Sequence, residues 1–175
     1  PTAIRYPRGP AEGVAVKERP SLLEIGKAEV LRHFSGNGSR KAAFFALGNM
    51  QQVARDAIQM LETEGWDCAL INPRFCKPLD DATHEFFGRA ADVVVTLEDH
   101  VLMGGYGSVV LECFNERRIP TPVVRIGWPD AFVEHASSVD YLRQKHGLTA
   151  ERAVQQVHLA THFPAKTQPL VSAAA

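Results

Sequence analysis

The 175-residue sequence is poor in the features that would give it a strong electrostatic, covalent or membrane identity. Acidic and basic side chains nearly cancel, 20 Asp and Glu against 19 Lys and Arg for a formal charge of −1, which argues against a nucleic-acid-binding surface spread over the chain. Only three cysteines occur, Cys68, Cys76 and Cys113, without CxxC or Cys/His ligand spacing. Buried reduced thiols are therefore expected instead of disulfides or zinc, and a reducing cytoplasm fits them. No apolar run approaches the roughly 18 residues of a membrane span, and the sequence does not open on a charged-then-apolar leader. A start on Pro1, in mid-pattern, is expected of a piece of a longer chain.

What is present is the material for one core: 45% hydrophobic residues, enough for one well-buried interior and too few for two sizeable ones. Apolar runs alternate with amphipathic ones. Lys41–Leu47 (KAAFFAL) reads as a strand buried on both faces. After Gly48-Asn49, the residues Met50, Val53, Ala54, Ala57, Ile58 and Leu61 recur at helical spacing up to Gly65. Cys68–Ile71 is the next strand, Asp80–Ala90 a helix with acidic residues in its first turn, and Asp92–Leu97 (DVVVTL) the clearest strand. A helix from Val109 to about Arg117 and a strand over Pro122–Ile126 follow.

Asp130 is read as the cap of a short turn through Phe132 and Val133, Ser137 with Asp140 as a capping box, and Thr149 as the cap of the last helix. Leu22–Leu31 is a small hairpin or edge strand, and Ser35–Ser39 a Gly-rich turn. The order predicts a three-layer α/β/α fold with a mostly parallel, mixed sheet of about five strands. Residues 1–20, with Pro1, Pro7, Pro10, Pro20 and the charged Lys17-Glu18-Arg19, read as a strand end plus linker with a domain boundary near 11–20. Residues 21–162 form the main domain, and 163–175, without periodicity, a flexible tail.

Three groups of residues invite functional readings. Arg5 and Arg8 stand three apart in Arg5-Tyr6-Pro7-Arg8-Gly9, two permanent cations in a Pro-stiffened turn beside a Gly, a plausible clamp for an oxyanion such as phosphate. Solvated surface arginines are the plain alternative. Gly104-Gly105-Tyr106-Gly107, between a strand and a helix, lacks full GxGxxG spacing and reads as a tight turn presenting helix amides toward a neighbouring domain or partner subunit. Glu98-Asp99-His100 has the composition of an acid/base cluster, while His84, His135 and His158 lack partners at metal-ligand spacing, so no metal is expected.

The blocks AIRYPRG (3–9), EVLR (29–32), AFFALGNM (43–50), INPRFCKPLD (71–80), VVTLEDHVLMGGYGSVVLE (94–112) and RIGWPDAFVEHAS (125–137) carry a resemblance. Their order and spacing resemble the C-terminal region of the 1-deoxy-D-xylulose-5-phosphate synthase family, in the transketolase superfamily. The resemblance implies a transketolase C-terminal-domain-like fold for 21–162, with 1–20 ending a preceding pyrimidine-binding domain. It implies a larger enzyme that uses thiamine diphosphate and Mg2+, held by upstream domains, to join pyruvate and glyceraldehyde 3-phosphate. Here the GDG…Asn pattern that holds magnesium and diphosphate is missing, so no cofactor is expected in this piece and it is expected to be inactive alone.

By the same resemblance Arg5, and second Arg8, bind the aldehyde's phosphate. Glu98, Asp99, His100, Gly104, Gly105 and Gly107 become interface and loop-ordering residues, and the partners are the upstream domains and a second copy in a homodimer. Neither nucleic acid nor membrane is implied. Transketolase proper, the β subunit of a 2-oxoacid dehydrogenase and a non-catalytic anion-binding module are the rival readings. Tyr106, Trp128 and the SGNGSRK stretch depart from the family pattern.

Overall fold

A computed structural model describes residues 1–4, 18, 19, 21–135 and 137–162. Five strands form one sheet in the order β1-β3-β2-β4-β5. They are β1 (Glu29–Arg32), β2 (Arg40–Ala46), β3 (Trp66–Asn72), β4 (Val93–Val101) and β5 (Val123–Trp128). All pairs are parallel except β1, an antiparallel edge strand on β3. The central strands are nearly continuous Ala, Val, Ile, Leu and Phe because parallel strands under crossover helices are buried on both faces.

Alternation along the strands assigns side chains to two cores. Ala42, Phe44, Leu70, Val93, Val95 and Val124 face the layer of α1 (Gln51–Thr63) and α5 (Ala150–His162). Ala43, Phe45, Ala69, Ile71 and Val94 face α2 (Asp81–Ala90) and α3 (Tyr106–Glu116). The chain steps from β2 outward to β3, then crosses back past β2 to β4. Right-handed crossovers in opposite directions put their helices on opposite faces, hence α1 on one side and α2 and α3 on the other. The β2/β4 seam is therefore the topological switch point, where open α/β sheets bind ligands beyond their carboxyl ends.

Several boundaries differ from expectation. β4 runs four residues past Leu97, through Glu98 to Val101, because the ladder with β5 resumes after an irregularity and pairs Val101 with Trp128. α3 starts at Tyr106, inside the glycine cluster and three residues before the predicted Val109, since the amides of its first turn find a buried acceptor. The 130–133 stretch forms no helical turn; Ala131 N–H bonds Pro129 O at 2.8 Å instead. Helix α4 (Val139–His146) is capped by Ser138, not Ser137: the Ser138 hydroxyl accepts from Tyr141 N–H at 3.2 Å. Thr149 does cap α5, accepting from Arg152 N–H at 3.3 Å.

Two buried aspartates explain the loops before β1 and β2. Asp67 accepts from Ser35 N–H and Gly36 N–H, both at 2.8 Å, so the SGNGSRK stretch opens as a turn held by one carboxylate and its Arg40 and Lys41 already belong to β2. Asp80 caps α2 through Thr83 N–H and takes Ala28 N–H at 3.0 Å, pinning the strand-entry turn to the α2 layer. All three cysteines are free thiols.

Candidate functional site at the carboxyl edge of the sheet

The residues after β2 and β4 meet at the switch point. Leu47 N–H bonds Leu97 O at 2.8 Å, which brings Asn49, in the 3-10 turn Gly48–Met50, beside the end of β4. From there Glu98, Asp99 and His100 diverge. Glu98 turns inward and is 1% exposed; its Oε2 accepts Tyr106 N–H at 2.7 Å and its Oε1 accepts Gly107 N–H at 2.8 Å. A carboxylate on two orphan amides, at the positive end of the α3 dipole, is a favourable anion cap supplied from within the fold.

The glycines are what this cap requires. Gly104 has φ +70°, a left-handed conformation that strains other residues. At Gly105 a Cβ would fall on Glu98 Oε2 and Val101 O, so only the bare backbone passes. The sequence reading had these amides facing a neighbour; the structure gives two of them to Glu98 instead. The same occupancy argues against a diphosphate at this helix start.

Asp99 points the other way, into a cluster from four elements. Its Oδ1 accepts Trp128 Nε1–H at 2.6 Å; its Oδ2 accepts Asn49 Nδ2–H at 2.7 Å and Arg143 Nη2–H at 3.1 Å. Burial alone would raise this carboxyl, but hydrogen bonds from Asn49 and Trp128 and the Arg143 charge outweigh it and hold Asp99 below the usual range. The cluster ties β4, β5, α4 and the 3-10 turn after β2 together. His100 is exposed, with Nδ1 3.2 Å from the Val101 carbonyl. Glu98, Asp99 and His100 thus make three separate sets of contacts and do not bond one another.

Beneath the α3 start lies a second polar cluster that the sequence did not reveal. His84 of α2 is fully buried, with Nδ1 2.7 Å from Asp80 O and Nε2 2.6 Å from the Tyr106 hydroxyl. Asn49, Arg143 and the His84–Tyr106 pair were all missed as site residues. Only Asn49, directly after a strand and a glycine, carried a local signal. Arg125 of β5 donates to Leu102 O and to Ser108 Oγ, both at 3.2 Å, closing the turn between β4 and α3. Among the described residues no three metal-ligating side chains converge. Arg5 and Arg8 lie outside the described residues, as do most of 1–20 and all of 163–175.

Residues 26–153 match the family profile described as transketolase, C-terminal domain. The chain is 53% identical over 156 residues to 1-deoxy-D-xylulose-5-phosphate synthase of Methylacidiphilum infernorum, covering 89% of this chain and 24% of that protein. It is 45% identical over 157 residues to the synthase of Acidobacterium capsulatum, covering 90% of this chain and 24% of that one. Among solved structures it is similar to a split gene transketolase described as an inactive beta4 tetramer, with a TM-score of 0.71, 34% identity and coverage of 80% of this chain and 44% of that one. The chain therefore spans about a quarter of the length of the curated relatives it matches.

Proposed function

Because the chain belongs to the transketolase C-terminal domain family, we propose that it is the last domain of a 1-deoxy-D-xylulose-5-phosphate synthase. In the complete enzyme this domain orders the carboxyl edge against its neighbours and lends a phosphate grip to the acceptor substrate. The observation that carries the reading is the 53% identity to a synthase over 156 residues. The complete enzyme condenses pyruvate with glyceraldehyde 3-phosphate, releasing CO2 and giving 1-deoxy-D-xylulose 5-phosphate for isoprenoid and thiamine precursors. Thiamine diphosphate with Mg2+ supplies the carbanion chemistry when bound by the preceding domains. The enzyme is a cytoplasmic homodimer in this reading, and residues 1–20 end the preceding domain.

The chain's own residues then have two jobs. Arg5, with Arg8 as second choice, holds the phosphate of the aldehyde by charge-assisted hydrogen bonds, each worth roughly 1.5 to 3 kcal/mol. Glu98, Asp99, His100 and the glycines Gly104, Gly105 and Gly107 hold the switch-point loops in one shape for the neighbouring domain and the partner subunit. The Glu98 cap and the Asp99 cluster support this, because each fixes a loop at the edge where α/β folds meet their ligands.

The test is steady-state kinetics of the complete enzyme carrying Arg5→Ala. The expected result is a KM for glyceraldehyde 3-phosphate raised on the order of ten- to hundredfold with the pyruvate KM little changed. Equal losses for both substrates would refute the phosphate role. A complete enzyme that ignores pyruvate and takes ketose phosphates would make it a transketolase, the reading that the split gene transketolase likeness favours.

A further inference from the structure

Gly127 and Leu148 are both buried, and between them no described residue is. Helix α4 lies in that stretch. The other four α-helices are each fixed by side chains sunk in a core, whereas among the described residues no helix or strand packs along α4. A groove of about 860 Å3, with Asp140 and Arg143 on one wall and Gln52, Val53 and Asp56 on the other, separates α4 from α1.

Polar and ring contacts hold α4 in place instead. Arg143 Nη2–H donates to Asp99 Oδ2 at 3.1 Å. Glu134, on the loop after β5, accepts from Lys145 Nζ and lies 3.0 Å from His146 Nε2. The His146 ring meets Trp128 edge-on, with centroids 5.6 Å apart. Glu134 and Lys145 are exposed, and water screens such a pair, so the Asp99 contact is the latch. It is an imperfect one: Arg143 Nε–H is shut off from solvent with no acceptor among the described residues. Closing the latch pairs one donor and strands another, while opening it lets water reach both, which keeps the closed and open arrangements close in free energy.

The helix is built to leave as a unit. Eight residues alone would fray, but Ser138 caps the first turn, Asp140 stands in that turn, and Arg143, Lys145 and His146 lie in the last. Gly147, at φ +78°, closes the other end, with Leu148 N–H on Arg143 O at 2.8 Å. Leu148 itself is anchored in the α1/α5 core. Gly147, able to take either sign of φ, therefore sits between a capped helix and a fixed point.

We propose that α4 is a hinged flap over the carboxyl edge: it swings about Gly147 as a helix, releases Arg143 from Asp99, and uncovers the Asn49, Asp99 and Trp128 cluster at the switch point. Asp99 keeps its neutral donors when Arg143 departs, Asn49 at 2.7 Å and Trp128 at 2.6 Å, so the opened edge presents an ordered carboxylate. Open α/β sheets take their ligands at this place, and the flap sets when it is accessible.

The experiment is nitrogen and carbonyl-carbon relaxation dispersion on the isotope-labelled 175-residue chain. The Trp128 indole N–H is the probe outside the flap, and the Trp66 indole, in the α1/α5 core, is its control. The proposal expects one microsecond-to-millisecond process shared by the α4 amides, Gly147 and the Trp128 indole, with Trp66 and the strands flat and helical carbonyl shifts in the minor state. Arg143→Leu should raise the minor population about tenfold, and Arg143→Lys should restore most of the closed form. Because α4 buries no side chain, the domain stays folded in both variants. Flat dispersion in both the unaltered chain and Arg143→Leu would overturn the proposal. So would random-coil carbonyl shifts in the minor state, which mean melting, or the same process in β2, β3 and β4, which means global opening. None of these readouts involves Arg5 or pyruvate, so the synthase reading stands or falls separately.

Discussion

The Tyr106 hydroxyl donates its proton to His84 Nε2 across 2.6 Å in a site closed to solvent. The direction follows from the far side of the ring: Nδ1 lies 2.7 Å from the Asp80 carbonyl oxygen, which can only accept, so Nδ1 carries the hydrogen and Nε2 is the acceptor. The ring is neutral and also stacks on Phe45 with centroids 4.5 Å apart. Since Tyr106 N–H is simultaneously held by Glu98, one residue couples α2, α3 and β4.

Removing the phenol oxygen tests that coupling. Tyr106→Phe keeps the packing but leaves a buried imidazole nitrogen without a donor, which costs about 1 to 3 kcal/mol of unfolding free energy. His84→Leu strands the hydroxyl in the same way. The double variant should be less destabilised than the sum of the two, with a coupling of about 1 kcal/mol or more in urea denaturation. Strict additivity would mean that the contact contributes nothing.

Acidification should weaken the fold in two separate windows. Burial lowers the His84 pKa from its ordinary 6.5, only partly offset by the hydrogen bond to Asp80. The unfolded chain then binds this proton first, so the stability that depends on neutral His84 is complete above about 6.5 and drains as pH falls below it. Asp67, Asp80 and Asp99 lose their contribution lower down. Burial would raise each, but hydrogen bonds outweigh it and hold all three below the ordinary 3.8, so their share persists above 3.8 and is lost as pH falls through the folded values. Denaturation midpoints from pH 7.5 to 5 should slope in the parent chain and flatten in His84→Leu; an unchanged slope would contradict the assignment.

Asp99 should matter locally more than globally. Helix α4 buries no residue, and its Arg143 reaches the body of the domain through Asp99. Asp99→Ala is expected to raise amide exchange in α4 and in the 48–50 turn by roughly tenfold, while β2, β3 and β4 keep their protection because those openings are sub-global. Uniformly faster exchange through the sheet would show that the cluster supports the whole core.

The three-layer fold and its helix and strand order were legible because they depend on local periodicity: apolar alternation and 3.6-residue spacing lie within one stretch of chain. Family membership was legible in blocks such as INPRFCKPLD and LEDHVLMGGYGS, which survive as strings. Hydrogen bonds between distant residues were not. Glu98 is eight residues from the Tyr106 amide it caps, so the reading started α3 at Val109 where burial of that carboxylate starts it at Tyr106. Asp99 gathers Asn49, Trp128 and Arg143 from 50 residues before it to 44 after it, and no periodicity marks such a cluster. Composition and spacing decided which segments become strands and helices; only the crossing of the chain past β2 decided which polar side chains would be shut in together, because a buried donor takes whatever acceptor the topology brings within reach.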